Sequence, residues 1–227
     1  MSQPWTLLDS KVLQSCRVFT LIDERYRSPR TGQEHDFYFI DSPDWVNVIP
    51  LTADGKVILV KQYRFGTKEF SLEIPGGMLD EGDTPASAAS RELLEETGYA
   101  GDEPILLGTV HPNPAIHTNR CHTYLIKNAA FKNLPRQDST EDIEVQSVLL
   151  SDIPQLIREG KITHALVIAA FYWYFSPPPP RGRGAVKNLK YAPSPYPLPP
   201  RRGVKRVNIL KYEKNSLPLD GRGRGWG

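Results

Sequence analysis

Cysteine is scarce: the 227 residues hold two, Cys16 and Cys121, with no C-x-x-C pair. That argues against a disulfide framework or a zinc ribbon and suits a reducing compartment. Long apolar runs are missing too. The longest spans residues 165–175 and is too short to cross a bilayer, so it reads as a core helix. No basic stretch followed by an apolar one opens the chain, so no secretory signal is read there. The five histidines include His111, His117 and His122, whose spacings do not suit a helical zinc pair. Loop and strand residues are the better reading. Together these absences give the expectation of a soluble, cytoplasmic protein with no membrane partner.

Net charge is nearly absent at +2, but the balance hides an asymmetry. Residues 176–227 carry 12 of the 28 Lys+Arg and two of the 26 Asp+Glu, which leaves residues 1–175 with 16 basic and 24 acidic side chains. An acidic body of one-domain size is joined to a basic tail. Within the tail Pro178, Arg181, Gly182, Val186 and Tyr191 recur 21 residues later as Pro199, Arg202, Gly203, Val207 and Tyr212. Pro/Arg/Gly composition of this kind cannot bury enough apolar surface to fold alone, and disorder is expected. Arg-Gly runs can also bind single-stranded nucleic acid, which keeps an RNA-associated role open through the tail.

The body contains one segment that demands chemistry. Glu92, Glu95 and Glu96 stand at i, i+3 and i+4, so a helix would project all three from one face. Like charges at that spacing destabilise a helix, and a hard divalent cation with oxygen ligands removes the conflict. Thr84 suits a helix cap, Pro85 the first helical position and Gly98 a left-handed stop. Ala86, Ala89, Leu93 and Thr97 form a stripe suited to packing on a sheet. Ahead of the helix, Ile74-Pro75-Gly76-Gly77 reads as a strand end entering a glycine turn, where backbone can approach a metal or phosphate closely. The unit reads as a metal–pyrophosphate site.

The same residues resemble the Nudix box, G-x5-E-x7-R-E-U-x-E-E-x-G-U with U aliphatic. Gly77, Arg91, Glu92, Leu93, Glu95, Glu96 and Gly98 fit it. Asp83 stands where the box has its first Glu, one methylene shorter in its reach toward Arg91, and Tyr99 replaces an aliphatic residue. The resemblance implies Mg²⁺ or Mn²⁺ held by Glu92 and Glu96, with Glu95 assisting and the Gly76 carbonyl completing the shell. Gly77, Asp83, Arg91 and Gly98 are then supporting residues, Arg91 by pairing with a carboxylate.

Alternating and β-rich runs predict strands at 12–22, 36–40, 45–51, 56–63, 70–74, 105–110, 122–127 and 144–149, and helices at 151–159 and 163–175. The order implies a mixed sheet between helices. The Nudix resemblance implies the same α/β/α sandwich, and its scope is about residues 5–175. The expected organisation is N-terminal antiparallel strands at 1–44, a Nudix domain at 45–175 and a low-complexity tail at 176–227.

Three further features resemble the ADP-ribose pyrophosphatase branch. They are the lead-in Leu72-Glu73-Ile74-Pro75-Gly76-Gly77, the strand end Gln62-Tyr63-Arg64, and Pro114, 15 residues after the box. That resemblance implies hydrolysis of ADP-ribose or a related nucleoside diphosphate sugar, contact of Arg64 with substrate, and a homodimer aided by the N-terminal strands. A general base is expected from the acidic segment 138–144, Glu141 first and Glu144 second, against the plain reading of a solvated loop. Trp45, with Tyr38 or Phe37, is the candidate clamp for adenine, against a plain core role. Alternatives are a Nudix hydrolase of dinucleoside polyphosphates, NADH-like dinucleotides or oxidised nucleotides, and a non-catalytic nucleotide sensor.

Overall fold

A computed structural model describes residues 3–136 and 142–176. The first three strands, β1 (Thr6–Ser15), β2 (Thr20–Arg27) and β3 (Glu34–Asp41), form an antiparallel sheet in that order. The single strand expected over 12–22 is instead the end of β1, a hairpin and the start of β2, closed by the Cys16 N–H donating to the Phe19 carbonyl at 2.8 Å. No Gly, Pro or Asn marks the turn Cys16-Arg17-Val18-Phe19, so apolar alternation ran through it unbroken.

The larger sheet contains β4 (Trp45–Leu51), β5 (Lys56–Arg64), β6 (Glu69–Glu73), β7 (Gly76–Met78), β9 (Ile105–Val110), β10 (Cys121–Lys127) and β12 (Ile143–Leu149). Two short strands, β8 (Tyr99–Ala100) and β11 (Ala130–Phe131), pair separately. The order is β12-β5-β4-β10-β9, with β10 parallel to β4 and the other pairings antiparallel. The sheet is therefore mixed, as expected.

Alternation along β4 sends its side chains to two cores. Val46 and Val48 pack with Tyr124, Ile126 and Ala88, Ala89 and Leu93 of α1 (Pro85–Thr97). Ile49 joins Leu59, Leu125 and residues of α2 (Ile153–Arg158) and α3 (Ala165–Phe175) on the other face. The result is an α/β/α sandwich.

One irregularity creates the site. β4 meets β5 only at Leu51↔Val57, while its first half pairs with β7 as Trp45↔Met78, Val46↔Gly77 and Asn47↔Gly76. The sheet forks there, and glycine permits the close approach: a Cβ on Gly76 would lie 2.3 Å from the Val46 carbonyl oxygen.

Candidate functional site

Helix α1 begins and ends on the expected residues. Thr84 Oγ1 accepts the Ser87 N–H at 3.1 Å, and Ser87 Oγ accepts the Thr84 N–H at 2.9 Å. Gly98 takes φ 75° and donates its N–H to the Leu94 carbonyl at 2.9 Å. This fixed helix lays Glu92 and Glu96 against the fork, where both are buried, and leaves Glu95 on the outer side, half-exposed. Glu96 Oε2 accepts the Gly76 N–H at 3.1 Å. The Glu92 carboxylate fills the space beside Gly77, since a Cβ there would sit 2.4 Å from its Oε1.

Arg91 binds most of the surrounding acid. Its Nη1 donates to Glu92 Oε1 at 2.9 Å and Glu95 Oε2 at 3.0 Å, and its Nη2 to Asp83 Oδ2 at 2.9 Å. Asp83 thus reaches Arg91 despite its shorter side chain, and this hydrogen bond holds its carboxyl below the usual carboxylate range. Among the described residues no three acidic, imidazole or thiolate groups converge as a ready-made cation site. The donors nevertheless fit a hard cation, being all oxygen and seated under a glycine turn with room for a carboxylate.

Arg64 lies at the end of β5 and forks onto Glu73, with Nε to Oε1 at 2.8 Å and Nη2 to Oε2 at 2.6 Å. Burial pushes Glu73 up, yet the Arg64 hydrogen bonds and charge outweigh it and hold the carboxyl below its ordinary value. Sequence reasoning gave Glu73 no role of its own. Its one signal is that an acid sits between residues of an apolar strand, where a paired partner is required.

Trp45 is half-buried and meets His117 edge-on at 5.9 Å. The loop carrying exposed Pro114 is strapped to β3, the Ile40 N–H donating to the Ile116 carbonyl and the Thr118 N–H to the Ile40 carbonyl. Behind it, Asp44 Oδ2 meets His122 Nε2 at 3.2 Å and Asp44 Oδ1 accepts the Arg120 N–H at 3.0 Å. The carbonyl of Asp44 accepts the Leu79 N–H, tying this corner to the glycine loop.

The two base candidates fare differently. Glu141 lies outside the described residues. Glu144 bonds Lys61 at 3.2 Å, and Lys61 stands two residues beyond Leu59 on the α2/α3 side of the sheet. The structure therefore does not bring Glu144 to the carboxylates of α1.

An aromatic cluster on the N-terminal sheet went unread in the sequence. Trp5 meets Phe37 at 5.6 Å and His35 at 5.8 Å, and Tyr26 meets Phe37 at 5.8 Å. Beside it opens a cavity of about 650 Å³ lined by Trp5, Ser28, Arg30, Gln33 and His35 among others. Tyr38 points to the opposite face of β3 from Phe37 and is exposed.

The family model described as the NUDIX domain matches residues 41–171. An ADP-ribose pyrophosphatase of Bacillus subtilis (strain 168) is 32% identical over 152 residues, covering 66% of this chain and 82% of the relative. An ADP-sugar pyrophosphatase of Mus musculus is 34% identical over 143 residues, covering 59% and 66%. The crystal structure of an ADP compounds hydrolase superposes with a TM-score of 0.69 at 21% identity, covering 77% of this chain and 94% of the other.

Proposed function

The chain belongs to the Nudix family, and on that premise we propose that it hydrolyses the pyrophosphate of ADP-ribose or a related nucleoside diphosphate sugar. The products are a nucleoside monophosphate and a sugar phosphate. The observation that carries this reading is the row of Glu92, Glu95 and Glu96 on α1 beneath Gly76 and Gly77. The relatives named for ADP-ribose and ADP-sugar cleavage support the substrate class.

Glu92, Glu96 and the Gly76 carbonyl would hold Mg²⁺ or Mn²⁺, with Glu95 at the outer edge. When bound, the cation offsets phosphate charge and lowers the pKa of an attacking water. Arg64, held by Glu73 at the end of β5 and half-exposed, would contact an oxyanion or a ribose of the substrate. Glu141 is the preferred general base, because Glu144 is tied to Lys61 on the far side.

Residues 1–44 form the dimerisation and substrate-contact extension in this reading, and residues 45–175 the catalytic domain. Trp5, Leu7, Val12 and Phe37 share one face of the β1–β2–β3 sheet and are exposed, which suits burial against a second copy. Trp45, beside the loop that carries Pro114, would give adenine an apolar contact. The two free cysteines fit a cytoplasmic location.

A substrate panel tests the assignment. ADP-ribose, another sugar nucleotide, NADH, a diadenosine polyphosphate, an oxidised nucleotide and capped RNA are each incubated with the full chain and Mg²⁺. Products are then separated by chromatography. The proposal expects the sugar nucleotides to be cleaved fastest, with AMP released from ADP-ribose. Faster cleavage of any other class would overturn it.

A further inference from the structure

A polar network outside the carboxylate row centres on Asp44, the residue before β4. Its Oδ1 accepts the Arg120 N–H at 3.0 Å, and the next residue, Trp45, donates its N–H to the Arg120 carbonyl at 2.7 Å. The end of the loop that carries Pro114 is thus clasped from both sides. The Asp44 carbonyl accepts the Leu79 N–H at 2.9 Å, three residues after Gly76. Asp44 Oδ2 meets His122 Nε2 at 3.2 Å, and Nδ1 of the same ring meets Thr109 Oγ1 of β9 at 3.1 Å. His122 alternates along β10 with Tyr124 and Ile126, which pack with α1, so its ring lies on the α1 side of the sheet. Both side chains are mostly buried. A carboxylate only accepts, so Nε2 carries the proton of the neutral ring and Thr109 donates to Nδ1.

We propose that His122 is a positioning residue for the nucleoside half of the substrate: by orienting Asp44 it fixes the corner of Trp45 and Pro114 at a set distance from the glycine turn. The inference rests on the nucleoside diphosphate sugar reading, in which Trp45 contacts the base and the turn lies at the pyrophosphate. The turn has supports of its own, in the β4–β7 pairing and the Gly76 N–H on Glu96. The Arg120 end of the loop is held through the Asp44 carboxylate, and His122 orients that carboxylate by its second oxygen. Loosening this contact shifts the base-binding corner and leaves the reacting end where it is. Binding of the nucleoside half then suffers, and the chemical step does not.

The two products of ADP-ribose cleavage serve as separate probes of the two halves of the site. An Asn amide nitrogen stands where imidazole has Nδ1 and a Gln amide nitrogen where it has Nε2, so His122→Asn reaches Thr109 alone and His122→Gln still reaches Asp44. With the full chain and Mg²⁺, His122→Asn is expected to raise KM for ADP-ribose about tenfold while kcat stays within about twofold. Inhibition by AMP should weaken by the same factor, inhibition by ribose 5-phosphate should not move, and His122→Gln should restore AMP inhibition. A loss confined to kcat, equal weakening of both inhibitors, or failure of the Gln variant to restore AMP inhibition overturns the proposal. Calorimetry with AMP needs no turnover and separates the two readings. A wild type that does not cleave ADP-ribose overturns the substrate reading, whereas AMP binding equal in wild type and His122→Asn overturns this inference whatever the turnover.

Nitrogen-15 magnetic resonance of wild-type protein needs no variant to fold. At mildly alkaline pH the His122 ring should carry its proton on Nε2, the nitrogen that faces Asp44. A proton on Nδ1 overturns the proposal.

Discussion

At Gly77 the absent side chain is replaced by the carboxylate of Glu92, which any Cβ would displace. Gly77→Ala should therefore leave the fold nearly intact, since the displaced group is the end of a long side chain. Activity on ADP-ribose should fall by roughly 100-fold through misplacement of a candidate ligand. Comparing thermal midpoints with kcat separates the two effects. Glu73 and Arg64 make a different prediction. The folded-state carboxyl of Glu73 is depressed, so its contribution is present above the ordinary value of 4.5 and is lost as pH falls through the folded value. Urea midpoints should show Glu73→Gln less stable than wild type by about 2 kcal/mol at pH 7, with the gap narrowing as pH falls below 4.5. A gap that stays constant from pH 7 to pH 3.5 would contradict this. Legibility at this scale was uneven. The types and spacing of Glu92, Glu95 and Glu96 were plain, but the capture of Glu92 and Glu95 by Arg91 was not. Which acids a guanidinium selects depends on side-chain conformations in three dimensions.

Among the elements, α1 was legible to its ends because its caps are local. A Thr at the cap, a Pro at the first position and a Gly after the last turn satisfy backbone groups within a few residues of themselves. Gly98 carries the sharper test. It sits at φ 75°, and a Cβ there would lie 2.0 Å from the Asn133 carbonyl oxygen. Gly98→Ala should lower stability by about 2 kcal/mol or more in chemical denaturation, since it meets both the left-handed conformation and a backbone clash. The β1–β2 hairpin was missed because its turn lacks the usual residues, and the fork between β5 and β7 because long-range pairing of β4 has no local signal. Glu144 illustrates the same limit. Its position after an acidic run suggested a base, but strand register turned it toward Lys61.

For the whole molecule, layer order was readable from the succession of strands and helices, whereas the N-terminal sheet raises a question of assembly. β1 is exposed along its length, and one face of the sheet gathers Trp5, Leu7, Val12 and Phe37. Sedimentation should show a dimer for the wild type and a monomer for Phe37→Asp, with the thermal midpoint of the catalytic domain little changed. A wild-type monomer at micromolar concentration would contradict the dimer.

The central claim is that the carboxylate row of α1 under the glycine turn drives pyrophosphate hydrolysis. AMP release from ADP-ribose with Mg²⁺, by wild type and Glu96→Gln side by side, tests it most directly. The account predicts robust release by the wild type and a loss of about 1,000-fold in kcat for the variant, with substrate binding largely kept. A folded Glu96→Gln protein that releases AMP at the wild-type rate would contradict it.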